Sequence, residues 1–309
     1  MSVQIHPKAA SSSQMGWRRA DQRAGWLFIS PAFLILFIFL VIPFLMAVFF
    51  SFTDQRLIPN PNLPTSFVGL RNFERMLGDE TLHHALINNF LFALIVVPTQ
   101  TAFALFLATL INQRLRGVNV FRTIYFSPVV TAMAVIAIVW SFLYNPGEGL
   151  INAFIGAVSL GQWGPYSWLS DTRLALPAIM LMSIWQGVGF QMVIYLAGLQ
   201  DIPEQLYEAA QIDGANRWQQ FVGVTLPQLR NTTIFIMIAT TILSFRLFDQ
   251  VEVMTQGGPE DATMTTVLHI VNEGFRTLRI GYASAISVVF FLIVLAISIL
   301  QRVVLTEEG

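Results

Sequence analysis

Residues 201–227 read Asp201-Ile-Pro-Glu-Gln-Leu-Tyr-Glu-Ala-Ala-Gln-Ile-Asp-Gly-Ala-Asn-Arg-Trp-Gln-Gln-Phe-Val-Gly-Val-Thr-Leu-Pro227, a polar stretch set between two long apolar runs. Asp201 is placed to cap a helix, with Glu204 three residues on as in a capping box and Pro203 in the first turn, where a missing N–H costs nothing. Gly214 can take the left-handed conformation that closes a helix. Asn216 then starts a second helix, expected to run to about Thr225 and to stop before Leu226-Pro227. Leu206, Ala209, Ala210 and Asp213 share one face of the first helix by three- and four-residue spacing. The small alanines admit close approach of another surface, and Leu206 and Tyr207 offer apolar anchors. A hairpin lying on lipid headgroups is usually rich in Lys and Arg, whereas this one is acidic until Arg217; docking to a protein fits it better.

The flanking runs, 174–199 and 232 to about 254, belong to a set of six, the others being 25–50, 85–111, 123–143 and 282–300. A helix crossing a ~30 Å hydrocarbon core needs about 20 apolar residues, because backbone groups must pair internally where water is absent. The chain is 55% hydrophobic and 11% charged, against roughly 25% charged in a soluble domain. An all-α, polytopic membrane bundle of six transmembrane helices follows. Residues 1–24 and 304–309 are expected as tails around a transmembrane domain over 25–303. Arg246, Asp249 and Glu252 interrupt the second half of the fifth run. The first run is longer than a signal peptide's apolar core and lacks a small-residue cleavage site, so it reads as an anchor.

Lys8, Arg18, Arg19, Arg23, Arg114, Arg116, Arg122, Arg217, Arg230 and Arg302 fall on one side of this topology, and Arg56, Arg71, Arg75, Arg173, Arg276 and Arg279 on the other. Counting positive charge places the first group, the hairpin and both termini in the cytoplasm. On the opposite side, 51–84 carries Pro59, Pro61 and Pro64 and reads as an extended segment ending in a short helix. Residues 150–160 are apolar but too short to cross, and are expected along the surface or against the bundle.

Several function classes drop out. A net charge of -1 and the absence of a basic stripe give nothing to neutralise nucleic-acid phosphates. There is no cysteine, and the four histidines, His6, His83, His84 and His269, show no metal-ligand spacing, so no metal is expected. No phosphate-binding G-x-x-x-x-G-K-[ST] loop occurs and Lys8 is the sole lysine, so any ATP chemistry belongs to a partner. No paired carboxylates or activated nucleophile suggest an enzyme, and neither the intramembrane ion groups nor the inverted repeats of a stand-alone secondary transporter are visible.

Polar groups at membrane depth usually face a cavity or a partner. In run four, Ser183, Gln186, Gly187 and Phe190 lie on or near one helical face, beside Trp185 and Gln191; in run five Thr240, Ser244 and Leu247 do likewise, with Arg246 and Asp249 close behind. An aromatic ring beside hydroxyls and amides suits a sugar. Small residues in membrane helices also serve helix packing, which is the competing reading for Ser, Thr and Gly. Arg246 and Asp249, three residues apart, are expected to pair with each other; otherwise Arg246 can meet an anionic group such as a phosphate.

Glu208-Ala-Ala210, Gly214 and Val224-Thr-Leu-Pro227, with Asp213-Gly214-Ala215, resemble the EAA signature of permease subunits of bacterial ABC importers. Phe67-Val-Gly-Leu-Arg-Asn-Phe73, Phe248-Asp-Gln-Val-Glu-Val-Met-Thr-Gln-Gly-Gly-Pro259 and Gly281-Tyr-Ala-Ser-Ala285 resemble stretches of its carbohydrate branch, relatives of the maltose and glycerol-phosphate permeases. The resemblance covers about 20–305 and implies the type I importer (MetI-like) fold in a bacterial inner membrane. It makes Glu208, Ala209, Ala210, Asp213, Gly214, Leu226 and Pro227 the contact to a cytoplasmic ATPase. It also implies a second related permease, two ATPase subunits holding ATP and Mg, an extracytoplasmic solute-binding protein and a carbohydrate substrate. Ser183, Gln186, Gly187, Phe190, Thr240, Ser244 and Leu247 align with positions lining the sugar site of the maltose-type permease. Ser183 and Ser244 stand where that permease has Asn and Leu247 has lost a polar group, so location carries over better than specificity.

Overall fold

The computed structural model describes residues 25–58, 64–112 and 117–307. The tail through residue 24, Pro59, Pro61, Arg114 and Arg116 lie outside the described residues. Four helices are long and apolar enough to cross a membrane: α1 (Gly25–Ser51), α3 (Glu80–Ile111), α7 (Ala175–Gln200) and α13 (Ile280–Glu307). Between α1 and α3 a short helix, α2 (Arg71–Leu77), follows an extended segment as expected. Asp79 fixes the start of α3 by accepting the Leu82 N–H at 3.0 Å, five residues before the expected boundary. α13 runs through Glu307, so the last helix continues beyond the apolar run that ends at 300.

The third expected span is two helices, α4 (Val118–Val130) and α5 (Met133–Leu143), bent by 101°. The break has a local cause. Thr131 and Ala132 adopt extended ψ angles of 139° and 132° just after Pro128, and the Thr131 hydroxyl and N–H bond back to the Ser127 and Pro128 carbonyls at 3.1 and 3.3 Å. Such irregular backbone is tolerated at membrane depth only where its polar groups are satisfied.

The fifth span is shorter than its apolar run. α10 (Arg230–Phe245) ends at Arg246, and α11 (Asp249–Met254) begins after Phe248, whose dihedrals (φ −144°, ψ −64°) leave the helical region. Buried Thr265, the N-cap of α12 (Thr266–Val271), donates its hydroxyl to the freed Leu247 carbonyl at 2.9 Å. That donor, 18 residues downstream, stabilises the break.

Residues 150–160 form α6 (Leu150–Val158), held by buried Asn152, which donates to the Tyr166 carbonyl (2.9 Å) and accepts from the Trp168 indole (3.0 Å). Its Leu150, Phe154 and Val158 face outward. In the bundle centre α3 lies along α7, with α10 against α3, α4 against α7 and α11 against α5. Phe92, Val96, Ile136, Ile179, Met182 and Val251 make one apolar core at the end away from the hairpin; Leu107, Val188, Met192, Tyr195 and Leu229 make another toward it. Gly189 permits the α4–α7 contact, since a Cβ there would stand 2.0 Å from the Tyr125 carbonyl oxygen.

Candidate functional site

The hairpin is α8 (Glu204–Ile212), a bend, and α9 (217–228). α8 starts at Pro203 without a side-chain cap, so Asp201 does not play the expected role. Its other end is as the sequence suggests. Gly214 sits at φ +81°, and Ala215 and Gly214 donate to the Ala210 and Gln211 carbonyls at 2.8 and 3.0 Å, which together form a Schellman motif. Asn216 and Gln219 then form a complete capping box, at 3.0 and 2.8 Å. The second arm does not stop before Leu226-Pro227. It widens by a π-turn over Phe221–Thr225 and continues helically to Gln228, because Pro227 falls at the start of a renewed helical turn where no N–H is needed.

These caps leave few free dihedrals in the bend, so the hairpin is stiff. Glu208, Ala209, Asp213, Gly214, Leu226 and Pro227 are exposed and Ala210 is half-buried. Tyr207 turns inward and shares a hydrogen bond of 2.9 Å with buried Thr225, tying the first arm to the foot of the second. Two exposed apolar side chains were not singled out from the sequence: Ile212, 87% exposed, and Trp218, 70% exposed and stacked on Phe221 at 5.6 Å. Hydrophobic side chains on an otherwise polar projection are the available signal.

At membrane depth a cavity of about 360 Å³ opens between α3, α7 and α10. Of the residues expected on the path, Gln186, Gly187, Phe190, Thr240, Arg246, Leu247 and Asp249 line it. Ser183 and Ser244 do not. Ser183 is buried with its hydroxyl on the Ile179 carbonyl (2.8 Å), and Ser244 is buried as well. Ser183 also accepts from Gln250 Nε2 at 3.4 Å, so it stands directly behind the cavity wall. Sequence reasoning missed Gln100 and Gln250, which bring two more amides into the wall from α3 and α11. Neither lies on a run flanking the hairpin at the spacing used to find the others.

Gly187 and Gln100 are matched: a Cβ at Gly187 would stand 2.3 Å from Gln100 Nε2, so the missing side chain makes room for the amide. Gln191 donates to the Thr240 hydroxyl at 2.6 Å, and Thr240 donates to the Ile236 carbonyl at 2.7 Å. This leaves Gln191 Oε1 buried without a hydrogen-bond partner among the described residues. A buried acceptor without a donor favours a ligand that brings one.

Arg246 and Asp249 do not pair: among the described residues no ion pair joins them, and both are exposed at the cavity wall. The i, i+3 rule that predicted their pairing holds within a helix, and the helix is broken between them.

At the border opposite the hairpin, Asp79 accepts from the Tyr282 hydroxyl (2.6 Å), the His269 ring (3.0 Å) and the Leu82 N–H. Burial pushes its carboxyl up, but these hydrogen bonds and the His269 charge together hold it below its ordinary value. Among the described residues no group of three or more His, Asp or Glu is placed to hold a metal.

Membrane-length helices around a solute-sized, amide-lined cavity, with a stiff hairpin beneath, define a multi-pass membrane transport protein. The chain belongs to the family described as binding-protein-dependent transport system inner membrane components, which residues 85–306 match. The probable ABC transporter permease protein YurN of Bacillus subtilis is 36% identical over 89% of this chain and 94% of its own length. The lactose transport system permease protein LacF of Rhizobium radiobacter is 33% identical over 94% of this chain and 97% of its own. The trehalose/maltose transport system permease protein MalF of Thermococcus litoralis is 33% identical over 93% of this chain and 95% of its own. A chain in the crystal structure of a bacterial ABC transporter involved in the import of the acidic polysaccharide alginate overlays with a TM-score of 0.80 at 21% identity, covering 93% of this chain and 98% of that one. The fold is therefore that of ABC importer permeases.

Proposed function

We propose that this chain forms half of the translocation path of an ATP-driven carbohydrate importer in a bacterial inner membrane, with both termini cytoplasmic. A second, related permease completes the path. Two cytoplasmic ATPase subunits, holding ATP and Mg, grip the two hairpins, and an extracytoplasmic solute-binding protein delivers the sugar. One observation carries this reading: α7 and α10, the helices that supply most of the cavity wall, lead directly into the two arms of the stiff hairpin. A push on Glu208 to Gly214 is thereby delivered to the helices lining the cavity. ATP-driven closure of the ATPase dimer would move the hairpins as rigid bodies and open the path outward, and hydrolysis would return it.

The relatives named for lactose and for trehalose/maltose support a neutral sugar, as do four glutamines and Phe190 around one cavity. Glu208→Lys and Gly214→Val are expected to abolish uptake of labelled maltose or lactose, whichever the intact transporter takes up, while leaving the chain inserted in the membrane. Normal uptake in both variants would refute the docking role. A second reading rests on Arg246, which lines the cavity without an ion-pair partner among the described residues: the same machinery taking an anionic sugar or glycerol phosphate. Arg246→Gln separates the two, since it weakens uptake of an anionic substrate far more than of a neutral one.

A further inference from the structure

Four guanidinium groups, from Arg56, Arg71, Arg75 and Arg279, surround a pocket of about 200 Å³ at the end of α1 and the start of α13. The helices alternate in direction, so this pocket lies at the membrane border opposite the hairpin. Its carboxylate, Asp54, is already committed to the Ser66 N–H and hydroxyl at 2.6 and 3.0 Å. Arg279 pairs with Glu273 at 3.5 Å, and Arg75 stands over the Tyr282 ring at 4.4 Å. Arg56 and Arg71 are exposed and form no ion pair among the described residues. Against the four guanidiniums stand Asp54, Glu273 and Asp79, which accepts from the pocket-lining Tyr282, so a net positive charge remains, centred on Arg56 and Arg71, and an added anion would relieve it.

The pocket is also built rigidly. Buried Asn72 donates to the Ser51 and Thr53 carbonyls, both at 2.8 Å, and Leu57 and Gly281 pair their N–H groups with the Leu278 and Gln55 carbonyls at 3.0 and 2.8 Å. Beside the cations, Ile58, Phe67 and Leu70 are more than half exposed. Cations set next to exposed apolar side chains at a membrane border match a molecule with an anionic head and apolar chains.

We propose that this pocket binds the phosphate of an anionic phospholipid, with its acyl chains against the exposed apolar side chains alongside. The lipid would neutralise Arg56 and Arg71 and hold the segment after α1 against the start of α13. This is independent of the transported solute and of the ATPase.

The test is native mass spectrometry of the purified transporter after equilibration with equal amounts of phosphatidylglycerol and phosphatidylcholine. Phosphatidylglycerol is expected to be retained preferentially, and Arg56→Ala with Arg71→Ala to reduce its retention by roughly fivefold per guanidinium lost. Arg56→Lys with Arg71→Lys should keep most of it. Equal retention of the two lipids, or undiminished phosphatidylglycerol in the alanine variant, overturns the proposal. Inorganic phosphate at millimolar concentration displacing the lipid would assign the pocket to a free anion. Unchanged lipid retention with lost capture of an acidic extracytoplasmic protein would assign it to protein docking. Should the double variant fail to fold, Arg56→Gln alone, at an exposed position outside any helix, should still lower retention about fivefold, and undiminished retention in it overturns the proposal.

Discussion

Two glycines on α7 make opposite predictions. A Cβ at Gly187 meets the mobile end of Gln100, whereas a Cβ at Gly189 meets the Tyr125 backbone. Gly187→Ala is therefore expected to alter the KM for uptake severalfold with little loss of thermal stability. Gly189→Ala should destabilise the chain by roughly 1–3 kcal/mol, read by denaturation in detergent. Asp79 gives a pH dependence. Its folded pKa lies below the ordinary 3.8, so its ionised form stabilises the fold above the unfolded value, and that contribution fades as pH falls through the folded one. Asp79→Asn should flatten the decline of the unfolding midpoint below about pH 4. At this scale the sequence was enough to bring Gln186, Gly187, Phe190 and Thr240 to one cavity wall, because a single helical period relates them on each run. It could not place Gln100, brought to the same cavity from a helix distant in sequence, nor predict that Arg246 and Asp249 stay apart.

Among the elements, most helix interiors follow the apolar runs, and at the hairpin bend the helix ends follow local capping. Gly214 and Asn216 terminate and restart the hairpin as their chemistry requires, since those effects act within four residues. The two breaks at membrane depth are different. The bend after Pro128 has a local signal in the proline and the Thr131 hydroxyl. The break at Arg246–Phe248 depends on Thr265, far along the chain. Thr265→Val removes the donor to the Leu247 carbonyl and the cap of the helix that Thr265 begins. A loss of about 1–3 kcal/mol is expected, measurable as a lowered unfolding midpoint with membrane insertion retained.

For the whole molecule, α1 meets the bundle chiefly along α13. Its most apolar window buries nothing within the chain, and it touches α13 through contacts such as Phe44 on Phe291 at 5.2 Å. What fixes the chain leaving α1 is the crossing at Gly281, where a Cβ would stand 2.1 Å from the Thr53 carbonyl oxygen. Gly281→Val is expected to pry this crossing apart, seen as faster proteolysis between residues 53 and 67 with the α3–α7 core still protected from hydrogen exchange. By itself the sequence determined that the chain is a membrane bundle with a capped hairpin between its fourth and fifth apolar runs, because hydrophobic length, capping and glycine conformation are local properties. Only the tertiary structure decided where helices break inside the membrane, which amides meet across the cavity, and that four arginines from separated segments gather at the far border. Those outcomes depend on which distant groups satisfy a freed carbonyl or share one space, and neither periodicity nor composition encodes that.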